Sequence, residues 1–241
     1  MNFTMSDLKT EFNDDSVVSH YNNLDKQFGL TYAEQTIIQK YIKKDAKILE
    51  IGCGTGRICN NLYKLGYHDI FAIDISSGMV KSAKQNAKQS GAQIKFKTIS
   101  ATRLKSLGLK FDAVIFGYNG FCDIPNIKNR ILVLQNVYQI LNENGIFIFS
   151  TQDRGENLDK YGEYWENQKT LFQNGEKKDI GDLVKTKFNN VKTYVNVPLS
   201  SEVFELLKQS KLNLIFTEMT RNLTNNIKNE LGDFRFYVAK K

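Results

Sequence analysis

Proline and cysteine are both scarce, at two and three residues in 241. So little proline removes the polyproline and collagen-like classes. Cys53, Cys59 and Cys122 are odd in number and form no Cys-x-x-Cys pair. That argues against a disulfide framework or a zinc site and predicts free, buried thiols with no metal. Long apolar runs are also missing. The stretches 113–116 and 146–149 fall far short of the roughly 20 residues that cross a bilayer, so no membrane helix and no membrane partner are expected. The first residues carry Asp7, Glu11, Asp14 and Asp15 instead of the basic start and apolar stretch of a secretory signal, which predicts a cytoplasmic protein.

What is present is globular: 41% hydrophobic and 24% charged residues, with no repeat and no long linker. The length suits one domain, 1–241, as a monomer or homodimer. The net charge of +7 would favour a polyanion if the cations were grouped. Lys43, Lys44, Lys47, Lys81, Lys84, Lys88, Lys95 and Lys97 are instead spread over several elements, so a solvated lysine-rich surface is preferred to a nucleic-acid face.

The apolar period predicts helices over 16–28 and 32–43. A glycine loop follows the strand 47–51. The pattern then alternates: helix 57–65, strand 70–73, helix 78–89, strands 94–98 and 113–116, helix 127–141, strand 146–149. Strands separated by helices pair in parallel, because the crossover needs a helix. The fold class is therefore α/β: a doubly wound, Rossmann-like, mostly parallel sheet. Its inner strands should be continuous apolar runs, as Ala-Val-Ile-Phe at 113–116 is. The rhythm breaks after Ser150. Residues 152–199 are read as an inserted lid subdomain carrying Tyr161, Tyr164, Trp165 and Phe172, with a hairpin of 183–188 and 191–197 around Asn189 and Asn190. Helix 202–208 leads to strands 212–218 and 234–239, which no helical crossover separates, so they should be antiparallel.

The chemistry concentrates in Glu50-Ile51-Gly52-Cys53-Gly54-Thr55-Gly56-Arg57, where a strand turns into a helix. Glycines there allow positive φ and let a ligand approach bare backbone. A dinucleotide fingerprint would need glycine at 57, where Arg57 stands, and no Gly-Lys-Ser/Thr marks a phosphate loop. A second acid, Asp74, ends the next strand. A carboxylate there accepts both ribose hydroxyls and repels a ribose phosphate, so the expected ligand is a nucleoside with a free diol. The plain alternatives are that Glu50 caps the next helix, Asp74 starts a turn and the glycines only permit packing.

From about residue 30 to 241 these features resemble the class I S-adenosylmethionine-dependent methyltransferases. The run Glu50 to Arg57 is similar to their first motif, Asp74-Ile-Ser-Ser-Gly-Met79 to their ribose motif, and Phe111-Asp112-Ala-Val-Ile-Phe116 to their fourth strand. Leu141-Asn-Glu-Asn-Gly145 resembles the turn before their fifth strand. The resemblance implies S-adenosyl-L-methionine as donor, S-adenosyl-L-homocysteine as product, and a final antiparallel strand. It places Glu50 at the methionine amino end, with Gly52, Cys53, Gly54 and Gly56 giving room. Asp74 would hold the ribose, Ile75 and Met79 would flank adenine, and Phe116 and Gly117 would lie beside the methionine. Ser100 stands where many relatives have an adenine-binding Asp, leaving the backbone of Ala101 and Thr102 for that contact.

A helical flap over 1–30 adds Tyr21 to the donor site, with His20 beside it. His68 is expected on the surface. Gly117-Tyr118-Asn119-Gly120-Phe121 lacks the Pro-Pro-aromatic sequence of many exocyclic-amine and glutamine methylases. No residue stands out as a general base, so the catalytic residues stay unassigned. A small-molecule acceptor is the first reading. An RNA or protein acceptor is the second, and a nucleoside-binding module without turnover the third.

Overall fold

The computed structural model describes residues 3–157, 166, 181–187 and 191–241. Two N-terminal helices, α1 (Met5–Asn13) and α2 (Asp15–Gln27), precede α3 (Tyr32–Tyr41). Strand β1 (Ile48–Ile51) leads into α4 (Arg57–Lys64), β2 (Ile70–Asp74) into α5 (Ser77–Ser90), and β3 (Lys95–Thr98) into a 3₁₀ helix, Ala101–Leu107. Strand β4 (Phe111–Phe116) is followed by α6 (Ile127–Ile140) and β5 (Leu141–Thr151). A separate hairpin pairs β6 (Asp182–Lys187) with β7 (Val191–Asn196). The chain then runs through α7 (Ser200–Gln209), β8 (Asn213–Met219), the short α8 (Thr220–Leu223) and β9 (Arg235–Lys240).

Seven strands form one sheet in the order β3-β2-β1-β4-β5-β9-β8. The first five are parallel, and β9 runs antiparallel to both β5 and β8. Residues alternate between the two faces of the sheet, so each strand feeds two cores. Leu49, Ile51, Val114, Phe116, Phe147 and Phe149 pack with α6 and α7 on one side. Ile48, Ala72, Ala113, Ile115 and Ile148 pack with α3 and α4 on the other. Burying each such side chain contributes about 1.5–3 kcal/mol. No helix among the described residues is long and apolar enough to cross a membrane.

The fold class and the antiparallel last strand match expectation, and the hairpin forms with Lys187 opposite Val191. Three elements differ. The apolar period marks helix only from residue 16, and the N-terminal segment carries a second helix, α1, whose capping box, Thr4 with Asp7, starts it and which buries little beyond Leu8 and Glu11. Strand β5 begins at Leu141, five residues early, because Phe111 pairs with Leu141 before a bulge restores register at Ala113 and Ile146. Strand β3 is a largely exposed edge and no apolar run. Tyr161, Tyr164, Trp165 and Phe172, together with Asn189 and Asn190, lie outside the described residues.

Candidate functional site

The carboxyl ends of β1, β2 and β4 open on a single cleft, roofed by α1 and α2. Tyr21, Glu50, Gly52, Cys53, Gly54, Asp74, Ile75, Met79, Ala101, Phe116 and Gly117 all line it. Gly56 and Thr102 do not. Gly56 turns the loop into α4 at φ +97°, and Thr102 gives its carbonyl to Asn136 Nδ2 at 2.9 Å. Ser100 Oγ accepts from the Thr102 N–H at 3.3 Å, capping the 3₁₀ helix.

Asp74 organises the loop that it faces. Its Oδ2 accepts from the Gly54 N–H at 2.9 Å and its Oδ1 from the Ser76 N–H at 2.8 Å. Burial pushes its carboxyl up to about 6 despite those bonds. Glu50 Oε2 accepts from the Cys59 N–H at 3.0 Å in the first turn of α4, a favourable place for an acid at the positive end of a helix. Burial outweighs this bond and the nearby Arg57, raising Glu50 to about 8. Both acids therefore have the structural roles of cap and turn former, and both also face the cleft. Gly52 sits at φ +64°, where a Cβ would come within 2.9 Å of the Phe116 ring. At Gly54, φ +53°, a Cβ would meet nothing within 4 Å.

The roof is held by polar hooks. Asn13 Oδ1 accepts from Ser76 Oγ, Ser77 Oγ and the Gly78 N–H, each at 3.1 Å. Asn86 Nδ2 donates to Asn22 Oδ1 and to the Thr55 carbonyl, each at 2.9 Å. Met5, Leu8 and Phe12 of α1 add apolar wall. His20 packs edge-on to Tyr21 at 5.6 Å and does not line the cleft; His68 is exposed against Tyr63.

Sequence reasoning missed Asp25, Arg57, Tyr118 and Asp123, which also line the cleft. Arg57 makes a bidentate pair with Glu34, both contacts at 2.6 Å, and donates to the Gly29 carbonyl at 2.9 Å. Asp25 accepts from the Thr55 hydroxyl and lies 4.0 Å from Arg57 Nε, and burial pushes it up to about 6. Tyr118 and Asn119 hold the left-handed region at φ +47° and +61°, a conformation that costs a non-glycine residue about 1–3 kcal/mol. The turn sets the Tyr118 ring edge-on to Tyr21 at 6.3 Å and to Phe234 at 5.9 Å, 5.6 Å from the Arg57 guanidinium. Arg57 directly follows the glycine loop, a position that signals it. Nothing in the local sequence marks Asp25 or Tyr118.

The chain is 35% identical over 119 residues to a carboxy-S-adenosyl-L-methionine synthase of Campylobacter concisus, covering 47% of each. It is 33% identical over 116 residues to the human eEF1A lysine and N-terminal methyltransferase, covering 48% of this chain and 16% of that one. The chain thus spans less than half the length of these relatives. A SAM-dependent methyltransferase of Methanosarcina mazei superposes with a TM-score of 0.69 over 85% of this chain and 96% of its own, at 20% identity, a likeness of fold. Residues 42–210 match the family model of a methyltransferase domain. That span runs from the end of α3 past α7 and takes in the whole floor of the cleft, and the chain belongs to this methyltransferase-domain family.

Proposed function

We propose that the chain transfers a methyl group from S-adenosyl-L-methionine to a small-molecule acceptor and releases S-adenosyl-L-homocysteine. One observation carries this reading: Glu50 and Asp74, on adjacent strands and both buried, flank a glycine loop that lines a cleft at the carboxyl edge of the sheet. The donor residues are then Tyr21, Glu50, Gly52, Cys53, Gly54, Asp74, Ile75, Met79, Ala101, Phe116 and Gly117, with Gly56 and Thr102 supporting from behind. Asp74 accepts from the ribose hydroxyls, whose donation favours the ionised carboxylate that burial opposes. Glu50 meets the methionine ammonium. Ile75, Met79, Ile99 and Ala101 give adenine an apolar slot.

When bound, the donor supplies a methyl group on a sulfonium, which carries its own leaving group. The protein's part is to align the reactants and exclude water, so rigid walls matter more than a covalent nucleophile. The small-molecule preference is supported by the hairpin, which docks on the loop after β4 that lines the cleft. The Asn196 N–H donates to the Cys122 carbonyl at 2.7 Å, and Tyr194 takes a bond from Arg130 at 3.1 Å and stacks on Phe3 at 5.2 Å. Residues 152–199 would thus act as a lid and 1–30 as a flap on one domain. A protein acceptor is the second reading, favoured by the human relative's activity on eEF1A lysine. Titration calorimetry with S-adenosylmethionine, S-adenosylhomocysteine and NAD tests the donor: binding of the first two is expected, and equal or tighter binding of NAD would reject the assignment.

A further inference from the structure

The cleft holds more carboxyl groups than the donor uses. Glu50 and Asp74 serve the donor in the reading above, while Asp25 and Asp123 add carboxylates to the same wall. Arg57 is the cation among the described residues that line it, and Glu34 already matches that charge with two short bonds. An acceptor bearing a carboxylate, phosphate or phenolate would therefore enter against like charge. A basic amine would enter with it. Tyr21 and Tyr118, at 80° to each other on this wall, add the aromatic surface that ammonium groups favour.

Asp25 is placed for more than attraction. It reaches the cleft from α2, is largely buried, and is held by the Thr55 hydroxyl. We propose that the methyl acceptor is a basic amine and that the Asp25 carboxylate takes the proton which its nitrogen must lose before attack. The proposal rests on the methyltransferase reading and deepens it. A basic amine arrives as an ammonium, with its lone pair locked in an N–H bond. That proton passes to Asp25, which becomes a neutral carboxylic acid. The freed lone pair forms the N–CH₃ bond as the C–S bond breaks, and the C–S electrons stay on sulfur. A methylated ammonium and a neutral thioether result, and Asp25 returns its proton to water as the product leaves. The charged groups facing Asp25 are Arg57 from α4, Glu34 from α3 and Glu50 from β1; burial leaves its carboxyl at about 6, nearer to neutrality than a surface acid. Such a basic amine differs from the weakly basic exocyclic amines whose Pro-Pro-aromatic motif is missing after β4.

The test is a panel of primary aliphatic amines against alcohols and carboxylic acids of the same carbon skeletons, with methyl-labelled S-adenosylmethionine at saturation. Transfer to amines alone is expected. For an amine that is methylated, Asp25→Asn should lower kcat/KM about 100-fold, the scale of general-base catalysis. Donor Kd should stay within about threefold of wild type, since the donor contacts are untouched. Saturating donor keeps Asp74, which titrates in the same range, out of the acceptor profile. Under those conditions the rate should level off above about pH 6 in wild type and Asp25→Glu, whereas in Asp25→Asn it should keep rising with pH toward the amine's own pKa. Melting curves accompany each variant, and the wild-type panel decides the acceptor class if a variant fails to fold. Methyl transfer to alcohols or acids, or to no amine, overturns the inference. So does an Asp25→Asn variant that loses donor affinity and keeps acceptor kinetics. If the wild type fails to bind the donor at all, the methyltransferase reading falls first.

Discussion

Burial at Glu50 and Asp74 sets a pH dependence whose sign is fixed by geometry. Their folded values, about 8 and about 6, lie above the ordinary 4.5 and 3.8, so the folded state holds protons that the unfolded chain has released. The stability linked to these protons is complete below pH 4 and is lost as pH rises through 6 and then 8. The melting temperature of the unliganded protein should therefore fall between pH 5 and pH 9, and S-adenosylmethionine, which brings positive charge to the ionised acids, should flatten that fall. A rising unliganded profile would contradict the assignment. In the proposed donor site, Asp74→Ala would remove a charge-assisted acceptor from the ribose and should weaken donor and product binding by about 1.5–3 kcal/mol in calorimetry. Gly54→Val should abolish donor binding in a folded protein, because a β-branched residue resists φ +53° and its side chain would enter space that only a ligand fills. Normal binding by that variant, with unchanged circular dichroism, would make the loop purely structural. Glu50, Asp74 and the glycines were legible because their meaning lies in spacing along adjacent strand ends. Asp25 was not, since which face of α2 meets the cleft is decided by packing onto α5. Tyr118 was hidden for a similar reason: its left-handed backbone belongs to the turn after β4, which is pinned by Ser150 of β5, whose hydroxyl accepts the Asn119 N–H at 3.0 Å.

Among the elements, α3 and α4 are tied by one carboxylate with two tasks. Glu34 Oε2 accepts from the Thr31 N–H at 3.0 Å, closing the capping box of α3, while both its oxygens hold Arg57. Arg57→Ala would leave Glu34 buried without its cation, a loss of about 3–5 kcal/mol that chemical denaturation should report. Arg57→Met with Glu34→Leu should recover much of it, since a matched apolar pair avoids the stranded charge. The proposed lid belongs to this scale as well. Trp165→Ala and Tyr164→Ala are expected to raise acceptor KM while donor Kd changes little, and unchanged acceptor kinetics in both would remove the lid assignment. Helices with a clear apolar stripe, such as α6, were readable to within a residue. Within the helical flap expected over 1–30, the bounds of α1 were not legible because its sequence is mostly polar; the signal that marks its start is Thr4-x-x-Asp7, a cap without a stripe. The early start of β5 was unreadable because it depends on pairing with Phe111, thirty residues away.

At the scale of the molecule, α1 and α2, the proposed flap, are tied over the cleft, beside the apolar contacts of Leu8 and Val17, by side-chain amides: Asn13 on the start of α5 and Asn22 on Asn86. Contacts of this kind exchange readily with water, so the roof should open at a fraction of the energy needed to unfold the sheet. Hydrogen exchange should show α1 and α2 amides exchanging faster than those of β1 and β4 in the unliganded protein, and slowing when S-adenosylhomocysteine is added. A flap whose exchange ignores the ligand would not be the donor's cover. The sheet itself is closed by β9, which slots between β5 and β8 and pairs Ile146 with Lys240 and Thr151 with Arg235. During synthesis, then, the longest strand of the sheet waits with one edge unpaired while more than eighty further residues leave the ribosome. Phe149 stays uncovered by Tyr237 over that interval. A nascent chain halted before residue 235 would present a long apolar strand edge to its neighbours, so chaperone engagement is expected to end only when β9 emerges.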